Sequence, residues 1–95
     1  RYTAVSGETA KEMAEGSRRL YASDIAVSTT GYAGPGRGER GEPEGTVFIA
    51  VAGSRGTEVH EEHFLGSRKS VRYAAAEKAM YYVMEYVRKM TGEDR

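Results

Sequence analysis

The run Thr30-Gly31-Tyr32-Ala33-Gly34-Pro35-Gly36 is where this sequence gathers groups able to hold an anion. The Thr30 hydroxyl can donate or accept a hydrogen bond. Glycine tolerates positive φ and lets a ligand approach the main chain closely. Successive exposed N–H groups in such a segment can form a concave anion site. The run continues through Arg37-Gly38-Glu39-Arg40-Gly41-Glu42-Pro43-Glu44-Gly45, and residues 30–45 hold six of the twelve glycines and both prolines. Compact domains rarely carry a connection this long without a use for it. On glycine content alone, a flexible connection between strands explains it as well as a ligand loop does. Tyr32 can stack on a flat ring, pack as a lid, or stand exposed.

Two histidines and a cluster of acids make a second constellation. His60 and His63 are three apart on an expected strand, so they should face opposite sides. With Glu58, Glu61 and Glu62 they read as a charged sheet edge rather than a metal site. The same carboxylates lack the paired arrangement that glycoside hydrolysis requires. No metal and no cofactor is expected.

The elements that must position these groups are legible from periodicity. Ser6 is a candidate N-cap. Behind it Ala10, Met13, Ala14, Ser17, Leu20 and Tyr21 recur at helical spacing, giving an amphipathic helix over about Gly7 to Tyr21. Asp24 to Thr29 contains a short, nearly uncharged run that suits a strand covered on both faces. Thr46 to Ala52 is continuous, β-branched and aromatic, and is the best strand in the chain. Gly53-Ser54-Arg55-Gly56 reads as a tight turn, with Thr57 to Phe64 pairing back antiparallel. Ser67 caps a last helix that runs to about Met90. Its apolar stripe is Val71, Ala75, Ala79, Tyr82, Val83, Tyr86 and Met90. Tyr73, Met80, Tyr81 and Met84 are bulky and fall outside that stripe. Helices on both faces of a mixed sheet make an α/β protein of three layers, α/β/α. The order α-β-β-β-α, with only three strands, is that of an incomplete domain.

Composition sets bounds. Ninety-five residues make one domain at most, spanning 1–95. Fourteen acids balance fourteen bases, so no net field favours nucleic acid or an anionic membrane. The absence of cysteine removes disulfides, zinc thiolates and a cysteine nucleophile, and fits a reducing cytoplasm. No apolar run approaches the ~20 residues that span a bilayer. Arg1-Tyr2-Thr3-Ala4-Val5 has no apolar segment behind it and is not a signal peptide. The chain lacks an initiator methionine and reads as part of something longer. The wide apolar surface of the last helix calls for a further contact.

Four strings, in order, resemble the carboxy-terminal domain of the competence/damage-inducible (CinA-like) proteins, the nicotinamide mononucleotide deamidase family. They are Val5-Ser6 with Ala14-Glu15-Gly16; Thr30-Gly31 with Ala33-Gly34-Pro35-Gly36; Pro43 and Gly45-Thr46-Val47 with Ile49-Ala50; and Phe64, Gly66 and Arg68 with Arg72. Tyr32, Glu44 and Ser67 depart from the family's usual residues, and Arg37-Gly38-Glu39-Arg40 is a charged version of its variable loop. The resemblance implies hydrolysis of the carboxamide of nicotinamide mononucleotide to the nicotinate nucleotide and ammonia, by a serine activated by a lysine. It also implies that both catalytic residues lie upstream, in a Glu-Ser-Cys-Thr-Gly-Gly-like half that these residues do not contain. Within the chain, Ser67 and Lys69 are near neighbours at a helix start and do not point together. No serine sits on a strand-to-helix elbow. No catalytic residue is therefore expected here.

What remains is substrate positioning. Thr30 and Gly31 end a strand, where ligands gather in α/β sheets. Arg68 opens a helix, where its charge opposes the macrodipole. That alone is compatible with a merely exposed arginine. Under the resemblance it becomes a phosphate contact, for which a guanidinium fork is suited. Thr30, Gly31, Ala33, Gly34, Gly36 and Arg68 are thus the expected substrate-binding residues, and Arg72 a structural or interface residue. The expected partners are a small nucleotide and either the missing amino-terminal half or a second copy. The competing reading is a non-catalytic nucleotide-binding or regulatory module.

Overall fold

The computed structural model describes residues 6–32 and 45–92. Its elements run α1 (Gly7–Tyr21), β1 (Ile25–Tyr32), β2 (Thr46–Gly53), β3 (Gly56–His63) and α2 (Arg68–Thr91). Both helices start where a serine caps them. The Ser6 hydroxyl accepts from the Thr9 N–H at 3.0 Å, and Ser67 accepts from Ser70 N–H at 3.1 Å. Each bond satisfies one of the free donors at a helix start. α2 stops at Gly92, which takes φ 77 at the cap, a conformation glycine adopts without strain.

The strands form one sheet in the order β1-β2-β3, with both pairings antiparallel. The parallel pairing that makes a sheet mixed is therefore not supplied by the described strands. β2 is central. Its odd-numbered side chains Val47 and Ile49 pack with Val71, Ala75 and Ala79 of α2. Its even-numbered Ala50 and Ala52 pack with Ala10 and Ala14 of α1. Alternation of side chains along a strand therefore puts one helix on each face, and the layers are α/β/α. Alanine on both sides of the α1 contact lets the helix come close. The Ser28 hydroxyl donates to the Ala10 carbonyl at 2.6 Å across the same interface.

Two expectations change. β1 extends to Tyr32 because Thr30, Gly31 and Tyr32 continue the pairing, opposite Phe48, Val47 and Thr46. Both helices pack on β1, but its face toward α2 is only partly covered, with Val27 42% exposed. Among the described strands β1 has one neighbour, so an interior-type sequence here occupies an edge.

The hairpin end of the sheet is pinned by one side chain. Tyr86 is fully buried. Its hydroxyl accepts from the Arg55 N–H at 2.8 Å and donates to the Gly56 carbonyl at 2.6 Å. Gly53 leaves room for its ring, because a Cβ there would lie 2.6 Å from Tyr86 Cε1. Replacing Tyr86 by Phe orphans both turn groups and should lower stability by about 1–3 kcal/mol. Gly53→Ala should cost a similar ~1–3 kcal/mol through overpacking. Urea unfolding followed by circular dichroism measures both. A loss below ~0.5 kcal/mol in either variant would show that the turn is not held this way.

Candidate functional site

The candidate site lies at the sheet end opposite the hairpin. Tyr32, Thr46 and His63 stand level there, through the register Tyr32↔Thr46 and Thr46↔His63. Only Phe64–Ser67 separate β3 from α2, so the amino terminus of α2 opens at this same rim. Gly45 closes it. Its carbonyl accepts from the Phe64 N–H at 2.9 Å, and it takes φ 86. A Cβ on Gly45 would stand 1.9 Å from the Phe64 carbonyl oxygen. Only glycine fits where these two backbones meet.

The start of α2 carries a cavity of about 520 Å³, lined by Arg68, Lys69, Arg72, Tyr73 and Ala76. The spacing explains the grouping: Arg68 and Arg72, and Lys69 and Tyr73, are one helical turn apart. The first turn of α2 contains no acid, so three cations crowd the positive end of the macrodipole without local compensation. None of the three forms an ion pair with a described residue. Lys69, Arg72 and Tyr73 were not among the residues expected to bind. The i, i+4 repeat behind Arg68 was the signal that could have found them.

The other expected residues divide. Gly31 pairs with Val47, so it belongs to the α2 side of the sheet at the Arg68 rim. It is not among the glycines with positive φ. Its smallness matters for another reason, since a Cβ would lie 3.0 Å from Val47 Cγ2. Thr30 is not brought to Arg68. Its side chain is 8% exposed and turns to the α1 layer, where the hydroxyl stands 3.5 Å from Met13 Sδ. Strand alternation forces neighbouring residues to opposite faces, so only the Thr30 main chain can serve a site shared with Arg68. Ala33, Gly34 and Gly36 lie outside the described residues.

Other arrangements are structural. His60 and His63 fall on opposite faces of β3. His60 stacks on Tyr82 with ring centroids 3.7 Å apart, and its Nε2 is 3.4 Å from Glu58. His63 Nδ1 is 3.3 Å from Thr46 Oγ1. Among the described residues no group of three or more His, Cys, Asp or Glu side chains converges. Among them, too, no helix is long and apolar enough to cross a membrane. A cavity of about 300 Å³ at the hairpin end is lined by Glu15, Arg18, Arg19 and Thr57 among others. Its groups are internally engaged: Thr57 donates to Glu15 at 2.6 Å, and Arg18 to the Ser23 carbonyl at 3.2 Å. Several of the described serines have structural partners. Ser6 and Ser67 are caps, Ser28 bonds to Ala10, and Ser54 sits exposed in the hairpin.

Comparison with known proteins agrees with this architecture. Residues 1–87 match the family described as CinA C-terminal domain, and the chain belongs to that family. It is 44% identical over 92 residues to a putative competence-damage inducible protein of Acetivibrio thermocellus, covering 97% of this chain and 22% of that protein. A counterpart in Bacillus subtilis is 44% identical over 85 residues, covering 90% and 20%. Among solved structures, a competence-damaged protein (CinA) superfamily protein from Escherichia coli superposes with TM-score 0.83 at 35% identity, over 90% of this chain and 50% of that one. The competence/damage inducible protein CihA from Agrobacterium tumefaciens gives TM-score 0.78 at 33% identity, over 86% and 51%. The chain thus spans about a fifth of these curated relatives and about half of these solved chains, and represents part of a domain.

The seam between β3 and α2 has its own pH signature. The Tyr82 hydroxyl donates to Glu62. Burial, and then this bond, push the phenol up from 10.0 to about 12. The folded state therefore holds this proton more tightly than the unfolded chain does. Its contribution to stability is complete below about pH 10 and disappears as pH rises through about 12. Urea midpoints should fall over that interval, and Tyr82→Phe should flatten this part of the decline. An unchanged slope in the variant would remove Tyr82 as the cause.

Proposed function

We propose that this chain is the distal, substrate-positioning part of a nicotinamide-nucleotide amidohydrolase, converting nicotinamide mononucleotide and water to nicotinate mononucleotide and ammonia in the cytoplasm. The observation that carries the reading is the basic cavity lined by Arg68, Lys69 and Arg72 at the start of α2. Arg68, reinforced by Arg72 and Lys69, holds the substrate phosphate, because planar guanidinium forks bind phosphate oxygens in pairs. The glycine run Gly31, Ala33, Gly34 and Gly36 offers main-chain N–H groups to the same nucleotide, with Thr30 contributing its backbone. The serine nucleophile and its lysine come from outside these residues. A serine attacking an amide needs a base to take its proton.

The division of labour sets the test. The full-length parent should release ammonia from nicotinamide mononucleotide, whereas the isolated 95-residue chain should show no turnover. In the parent, Arg68→Ala should weaken nucleotide binding by about 1.5–3 kcal/mol, the worth of a charge-assisted contact. Thr30→Val should leave binding unchanged, since the hydroxyl faces α1. Isothermal titration with the nucleotide separates binding from turnover. A parent that binds the nucleotide without releasing ammonia would be a non-catalytic module, and an unaffected Arg68→Ala would remove the phosphate role.

A further inference from the structure

Three of the four tyrosines of α2 have partners. Tyr86 is buried and bonded to the hairpin. Tyr82 bonds to Glu62 and stacks on His60. Tyr81 meets the Tyr82 ring edge-on and lies beneath the Lys78 ammonium. Tyr73 makes no ring or cation contact with a described residue, and it is 67% exposed. It lines the cavity that Arg68, Lys69 and Arg72 also line. A bare aromatic ring beside unpaired cations offers a face for a base and charges for phosphate.

The lining residues run from Arg68 to Ala76, over two turns of helix. The cavity therefore follows the side of α2 and is not confined to its amino-terminal end. Arg68 and Arg72 form one row and Lys69 and Tyr73 a second, each with a one-turn step. Ala76 stands between the rows and adds only a methyl group. The volume of about 520 Å³ falls within the usual range for small-molecule sites. A phosphate monoester brings at most about two negative charges, and two guanidinium forks answer them. Lys69 is then a third cation, in excess of what one phosphate needs. A lysine ammonium meets a further phosphate as a point charge.

We propose that this cavity also takes a nucleoside 5′-diphosphate, which competes there with the mononucleotide substrate. Arg68 and Arg72 hold the inner phosphate, Lys69 holds the terminal one, and Tyr73 stacks on the base. The inference rests on the phosphate role given to Arg68 above. It adds Lys69 and Tyr73, neither of which is among the residues that carry the family resemblance.

Isothermal titration of the full-length parent with adenosine mono- and diphosphate tests it. Only binding that Arg68→Ala removes is counted, so a nucleotide site elsewhere in the parent does not enter. The diphosphate should bind at least about tenfold more tightly than the monophosphate, and nicotinamide mononucleotide should displace it. Lys69→Gln should abolish that advantage while changing monophosphate binding less than about threefold. Tyr73→Leu should weaken both nucleotides by about fivefold or more and leave inorganic pyrophosphate binding unchanged. Circular dichroism confirms that the variants fold. Equal affinity for the two nucleotides, or a Lys69→Gln loss shared equally by both, would overturn the proposal. An inert Tyr73→Leu would reduce the cavity to a plain anion site and overturn it too. Nicotinamide adenine dinucleotide, whose two phosphates are both internal, should bind no more tightly than the monophosphate; tighter binding would make a dinucleotide the occupant. These outcomes sink this inference alone, whereas an Arg68→Ala variant that still binds nicotinamide mononucleotide normally would remove the phosphate role beneath it.

Discussion

Burying β2 on both faces forces the rest of this arrangement. A strand alternates its side chains, so apolar residues at every position demand two separate apolar covers. Val47 and Ile49 are met by α2, and Ala50 and Ala52 by α1. The antiparallel neighbours then need not be buried to the same degree, and they are not. β3 keeps a wet charged face, while β1 is left half covered. The two α-layers also differ in kind. Alanine against alanine brings α1 close enough for Ser28 to bond a helix carbonyl, whereas bulkier side chains fill the α2 interface.

The elements that a local pattern controls were readable. The bounds of α1, the Ser6 and Ser67 caps, the β2–β3 hairpin and the separation of His60 from His63 follow from spacing and capping chemistry. The outward set Tyr73, Met80, Tyr81 and Met84 was visible too, and all four are more than half exposed. What escaped depends on partners far away in sequence. Whether β1 is central or at an edge is decided by how many strands flank it, and its composition suits the former. The facing of Thr30 depends on register with β2, where one residue of slip exchanges the two faces. Glycine content could flag Gly31 and Gly45 but not the reason for them. Gly31 is small because Val47 stands across from it, and Gly45 because Phe64 does.

The two ends of the sheet divide the physical work. At the hairpin end polar groups are closed on one another: Tyr86 serves Arg55 and Gly56, Thr57 serves Glu15, and Lys89 serves Glu58. Such satisfied groups stabilise the fold and leave little for a ligand. At the other end the backbone is fixed through Gly45 and Phe64, but the side chains of Arg68, Lys69 and Arg72 form no ion pair with a described residue. Cations at a helix amino terminus raise the free energy of the unliganded protein, and a bound anion reverses the sign of that contribution. A site that gains from its ligand must hold its charges in place before the ligand arrives. In the proposed site a capped helix and a glycine-only backbone contact fix the main chain that carries the charges, at the end of the sheet where stability is not drawn from the charged groups themselves.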